Sequence, residues 1–168
     1  RAVSEDNLDW QIPPENQPKP EEWKFNISAV LASIFSLRAE IPEDAYTAEV
    51  LGTERAGNGV LINSEGLVLT IGYLIAEAET VWLLSNDGEA IPAHVVAYDH
   101  RTGFGLVQAL AKITSAPIPL GHSRSSQVGD PVIIAGHGGM RHALAAWIAA
   151  KREFAGYWEY LLDEAIFT

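Results

Sequence analysis

Five histidines, His94, His100, His122, His137 and His142, and no cysteine set the limits of base and soft-ligand chemistry in this 168-residue chain. Thiolate nucleophiles, disulfides and cysteine metal sites lie outside its repertoire. His137 and His142 share the glycine-rich loop Gly136-His137-Gly138-Gly139-Met140-Arg141-His142 and are the weak candidates for a metal pair. Their i, i+5 spacing does not share one helix face, and no cysteine or nearby carboxylate completes a ligand set. The loop reads as a tight glycine turn at the surface, with a metal-binding module as the alternative. The residues call for no metal and no cofactor. A phosphate cradle would need a lysine at the end of a G-x-x-x-x-G-K spacing, which the chain lacks. Asn26-Ile27-Ser28 satisfies a glycosylation sequon but opens an apolar run. Trp147, Tyr157, Trp158 and Tyr160 are expected to be core and barrel-rim residues rather than a ligand platform.

The elements that must position such groups are those of one globular unit. The chain is 48% hydrophobic and 20% charged, and it is long enough to bury a sizeable core without staples. With 22 acidic residues against 11 basic ones the formal charge is −11, and no basic stripe appears. A phosphate backbone would be repelled, which argues against nucleic acid as a partner. No run of about 18 apolar residues offers a membrane span.

Residues 1–27 form an acidic, proline-rich arm with Pro13, Pro14, Pro18 and Pro20. It is expected to be extended, either packed on its own domain or held out for a partner. From Asn26 an apolar run to Ile41 predicts a short helical turn leading into a strand. Strand-like pieces then recur at Thr47–Leu51, Gly59–Asn63, Leu67–Thr70, Val81–Leu84, Ala93–Tyr98 and Leu106–Ala109. Between them Gly57-Asn58-Gly59, Asn63-Ser64-Glu65-Gly66, Asn86-Asp87-Gly88 and Thr102-Gly103 supply residues that tolerate positive φ in hairpin turns. This punctuation predicts an all-β barrel. Arg141–Phe167 is ambiguous, because its alanines and a stripe of large apolar residues have the propensity of a helix.

Four segments in order resemble the HtrA/Deg group of trypsin-like serine proteases. Gly57-Asn58-Gly59-Val60-Leu61-Ile62-Asn63-Ser64-Glu65-Gly66-Leu67-Val68-Leu69-Thr70 is similar to the family's G-S-G-V-I-I-(D/S)-x-x-G-Y-I-(V/L)-T. Asp87-Gly88 followed by Ala93–Asp99 resembles D-G-x-x-x-x-A-x-V-V-G-x-D. Pro119–Ser123 with Val128–Gly136 resembles L-G-x-S-x-x-x-x-V-G-x-x-V-x-A-I-G, and Leu162–Ile166 resembles Q-T-D-A-A-I. The resemblance implies a chymotrypsin-like double β-barrel, with residues 28–116 as the first barrel and 117–168 as the first part of an incomplete second one. Under it Arg141–Phe167 becomes two strands. It also implies a cell-envelope, periplasmic or secreted location.

The same frame implies that the chemistry has been removed. Serine proteases need a base beside the nucleophile, a carboxylate to orient the base, and N–H donors for the oxyanion. Where the family has T-N-x-H-V, this chain reads Thr70-Ile71-Gly72-Tyr73-Leu74, so Tyr73 stands at the histidine position. A phenol with a reference pKa of ~10 keeps its proton at neutral pH and cannot shuttle it as an imidazole does. Where the family has T-D-(L/I)-A, the chain reads Thr102-Gly103-Phe104-Gly105, so Gly103 replaces the aspartate. The nucleophile loop is expected beyond Thr168. The resulting expectation is a protease homologue without catalytic residues that binds an extended peptide or protein. Its second barrel would be completed by a C-terminal fragment or another copy. The alternative is an active serine endopeptidase completed by that further segment.

Overall fold

The computed structural model describes residues 10–156 and 161–168. The arm is not extended throughout. Pro14 and Pro20 each open a single 3₁₀ turn, where their fixed φ and missing N–H cost nothing. It packs on its own chain: Pro18 is fully buried, and the Ile12 N–H donates to the Arg141 carbonyl at 2.8 Å. Trp10, at the start of the described arm, sets its ring edge-on to His142 at 5.7 Å.

Asn26 caps helix α1 (Ile27–Leu31) by accepting the Ala29 N–H at 3.1 Å. Ile27 and Leu31, one turn apart, face inward and form a small core with Ile34 and Ala143, flanked by Trp23 and Ile133.

Six antiparallel strands then close a barrel: β1 (Ile34–Glu40), β2 (Glu54–Leu61), β3 (Leu67–Ile71), β4 (Thr80–Leu84), β5 (Ala90–Asp99) and β6 (Phe104–Ala109), in the order β1-β2-β3-β6-β5-β4. Closure leaves no free edge in this unit. Alternate residues fill the interior, with Phe35, Leu37, Leu61, Val68, Leu83, Ile91 and Val107 fully buried.

Two details of this barrel differ from the sequence reading. Thr47–Leu51 is not a strand: Ala48–Leu51 forms helix α2, built from good helix formers and ended by Gly52 at φ +81°. Gly57 and Gly59 are not turn residues either. They lie inside β2, where a Cβ on Gly57 would collide with the Leu74 side chain and one on Gly59 would fall 2.6 Å from Val68 Cγ1. Gly66, Gly88 and Gly103 do take positive φ in turns.

The second unit contains β7 (Pro131–Ala135), β8 (Ala143–Trp147), β9 (Ala150–Ala155) and β10 (Leu161–Phe167), arranged as the two-stranded sheets β7-β8 and β9-β10. Arg141–Phe167 is thus strand, not helix, but holds three strands instead of two. The break is at buried Ile148, whose N–H and carbonyl bond Asp130 and Gly129, and at Ala149, whose N–H reaches the Phe167 carbonyl. There the chain changes partner from β7 to β10, so pairing with two different strands overrides local helical propensity. Of the residues expected at the core or barrel rim, Trp147 is not in the core, being 66% exposed. Tyr157, Trp158 and Tyr160 lie outside the described residues.

The two units are joined by the small apolar core around Ile34 and Ala143 and by polar contacts. The His137 and Gly138 N–H groups donate to the side-chain oxygens of Asn58 and Asn86 at 2.9 and 2.8 Å. The Ile118 N–H donates to the Leu61 carbonyl. Among the described residues no helix is long and apolar enough to cross a membrane.

Candidate functional site

Positions 73 and 103 meet at one end of the closed barrel. Strand β3 runs out at Ile71 into a 3₁₀ turn, Gly72–Leu74, that carries Tyr73, and β6 begins at Phe104, directly opposite Ile71. Buried Leu74 and Ile75 anchor the turn, leaving the Tyr73 side chain 47% exposed. The Gly72 N–H donates to the Gly103 carbonyl at 2.7 Å, so a backbone bond ties the residue before Tyr73 to Gly103.

Gly103 closes the β5–β6 connection at φ +76°, a left-handed conformation that costs a residue with a side chain about 1–2 kcal/mol. The turn is held by Asp99, which accepts the Arg101 N–H at 3.0 Å and the Thr102 hydroxyl at 2.7 Å. The Thr102 hydroxyl, followed by the backbone donors, holds the Asp99 carboxyl below the usual carboxylate range. The nearest acid in the chain before Gly103 is therefore spent on making the turn.

Arg55, Glu77 and Tyr98 also shape the site, and sequence reasoning passed over all three. Arg55, 5% exposed, donates to the Tyr73, Ala76 and Gly52 carbonyls at 2.7, 3.0 and 3.1 Å and to the Thr47 hydroxyl at 2.8 Å. Burial lowers its pKa, and the Glu77 charge works against that fall. Glu77 accepts the Thr47 hydroxyl at 2.6 Å and the Thr47 and Tyr46 N–H groups at 2.7 and 3.0 Å. Those hydrogen bonds, Thr47 foremost, hold its carboxyl below its ordinary range. The network fastens the loop before α2 to the turn carrying Tyr73. Its sequence signal was phase: Arg55 shares the inward alternation of Gly57, Gly59 and Leu61 along β2.

Tyr98 faces Gly105 across β5 and β6, and its ring covers the side of Gly72 where a Cβ would stand. It also lies 4.1 Å from the His100 ring, centroid to centroid.

His137 and His142 are engaged separately. His137 Nε2 is 3.1 Å from the Ser85 carbonyl oxygen, and His142 packs against Gly138 and Trp10. Among the described residues no group of three or more His, Cys, Asp or Glu side chains is placed to hold a metal. Gly138 and Gly139 take φ of +114° and +68° in the loop between them.

What this arrangement contains is an exposed phenol at 73 and a left-handed backbone turn at 103. Residues 57–164 match the family model described as a trypsin-like peptidase domain. The DegP-like periplasmic serine endoprotease of Pseudomonas putida is 31% identical over 98 residues, 57% of this chain and 20% of that protein. The periplasmic pH-dependent serine endoprotease DegQ of Escherichia coli is 31% identical over 85 residues, 50% of this chain and 19% of that one. The chain thus spans about a fifth of the length of these curated relatives. Among solved structures, the HtrA-type protease AlgW with a tripeptide superimposes with a TM-score of 0.63 and 21% identity, covering 80% of this chain and 42% of that one.

Proposed function

Because this chain belongs to the trypsin-like peptidase family, in its HtrA/Deg branch, we propose that it is a non-hydrolysing member that binds extended peptide or protein segments in the periplasm or cell envelope. The observation that carries this reading is the pair at positions 73 and 103. Tyr73 brings no imidazole, Gly103 brings no carboxylate, and the backbone at 103 is coiled into a left-handed turn that favours glycine. Loss of the base alone removes the ordinary triad mechanism, and a second loss at the orienting residue removes the route back to it. The frame around them is intact, from the close-packed glycines of β2 to the buried Arg55 clamp, which is what retention of a binding surface requires. Location and peptide binding both draw on the relatives, which are named periplasmic, and on AlgW, whose structure holds a tripeptide.

The second unit supports a further element of the proposal. Strands β7, β8, β9 and β10 each pair on one side only among the described residues, in two separate two-stranded sheets. Ile134, Trp147 and Leu161 expose 43, 66 and 56% of their surface beside them. Unpaired edges flanked by exposed apolar groups are aggregation-prone unless covered, so an additional segment or another copy completes this sheet.

Fluorescence anisotropy with labelled unfolded casein tests the binding reading. Saturable binding that weakens on Tyr73→Ala is expected. Binding indifferent to that substitution, or absent, contradicts a ligand site at this end of the barrel.

A further inference from the structure

The segment between β1 and β2 presents Tyr46 with 92% of its surface exposed and Val50 with 68%. Both side chains line a hollow of about 520 Å³, which Ala45, Ala48, Glu43 and Glu49 also line. Ala48 belongs to the barrel core and Ala45 packs against it, so this side of the hollow is anchored to the closed barrel. The turn that carries Tyr46 is held from the other direction by Glu77, which accepts the Tyr46 and Thr47 N–H groups at 3.0 and 2.7 Å. Glu77 does so at φ +61°, and no other non-glycine residue among those described has a positive φ. A surface held in this way exists before any partner arrives, and little of it has to be ordered on binding.

The charge around the hollow has one sign. Between Arg38 and Arg55 the sequence has five carboxylates, Glu40, Glu43, Asp44, Glu49 and Glu54, and no lysine or arginine. Arg55 itself is buried, and its guanidinium is turned to the Gly52, Tyr73 and Ala76 carbonyls and the Thr47 hydroxyl. The exposed carboxylates are therefore left to whatever enters from solvent. We propose that this hollow is a docking site for a basic segment of another protein, with an arginine or lysine head drawn to Glu43 and Glu49 and its stem lying on Tyr46 and Val50. A cation is attracted to the face of a phenol ring, and the methylenes of a long basic side chain cover apolar surface while the head stays wet. Nucleic acid and anionic membranes are repelled by the same carboxylates. A second copy of a chain with net charge −11 is a poor match for them as well. The proposal does not depend on how positions 73 and 103 are read.

Fluorescence anisotropy with a labelled octapeptide of alternating arginine and leucine tests it. Tyr46→Ala, which leaves the charge unchanged, is expected to weaken binding about fivefold, and Tyr46→Phe to preserve it. Glu43→Gln combined with Glu49→Gln is expected to weaken binding by about as much at low salt and to flatten its salt dependence. Glu65→Gln combined with Glu89→Gln makes the same change in net charge at exposed turns elsewhere on the barrel and is expected to have little effect. An octapeptide with glutamate in place of arginine is expected not to bind. Absence of saturable binding, indifference to Tyr46→Ala, or an equal loss from the control pair overturns the proposal, the last because it shows attraction to overall charge alone. Amide shift changes on adding the peptide are expected to centre on residues 43–53. Changes centred on residues 72–74 and 102–104 would overturn the hollow while leaving a peptide site at Tyr73 standing.

Discussion

At the scale of single residues, the site is defined by what two side chains lack and by what their neighbours do in compensation. Tyr73→His alone is expected to yield no hydrolysis of unfolded casein, because the new imidazole would face a turn without an orienting carboxylate; release of soluble peptides by that variant would refute this. Gly103→Ala is expected to lower unfolding free energy by about 1–2 kcal/mol, the cost of a Cβ at φ +76°, measurable by urea denaturation. Acid should also act here. Glu77 and Asp99 both titrate below their unfolded-state values, so the stability they contribute is present above the ordinary carboxylate range and is lost as pH falls through their depressed folded values. Urea midpoints measured from pH 6 down to pH 3 should fall, and Glu77→Gln should flatten that fall. That positions 73 and 103 carry a tyrosine and a glycine where the motifs lead one to expect a histidine and an aspartate is read from the sequence alone. The roles of Tyr98 and Arg55 are not, because nothing local in a tyrosine or an arginine tells that its ring covers a glycine 26 residues earlier in the chain or that its guanidinium collects carbonyls from two loops.

Among the elements, strands whose ends are marked by positive-φ glycines were readable, whereas those defined only by distant pairing were not. Gly66, Gly88 and Gly103 sit in the turns that Asn63-Ser64-Glu65-Gly66, Asn86-Asp87-Gly88 and Thr102-Gly103 mark. Gly57 and Gly59 misled for a physical reason: a glycine can be required by a neighbour's bulk as well as by backbone conformation, and the sequence shows only its identity. Helical propensity misled over Arg141–Phe167, where pairing with β7 and then β10 decides the state. Two elements are held by buried or nearly buried cations, and each can be tested. Arg55→Met should cost about 2–4 kcal/mol, since it strands the carbonyls of Gly52, Tyr73 and Ala76. Its effect should appear as faster amide exchange across residues 72–78. Lys151 donates to the Ser123 and Ser126 carbonyls at 3.0 and 2.8 Å and approaches Glu164 at 3.3 Å, joining the loop before β7 to β9 and β10. Lys151→Met should therefore speed exchange in β9 and β10 while leaving the closed barrel protected.

For the whole molecule, one closed barrel with a dense interior carries two small sheets with free edges, and the stability of the two parts should differ accordingly. Exchange protection is expected to be highest in β1–β6, where closure satisfies every strand on both sides, and lowest in β7–β10. The fold class was legible because motif order survives across the chain. We infer that this protease-family frame keeps a surface for peptides without the means to cut them. Mass spectrometry of unfolded casein incubated with the chain at saturating concentration, with anisotropy followed in the same sample, tests it most directly. A bound substrate whose mass distribution is unchanged after prolonged incubation is the expected result. New casein fragments that accumulate in proportion to the amount of this chain, and disappear on Tyr73→Ala, would contradict it.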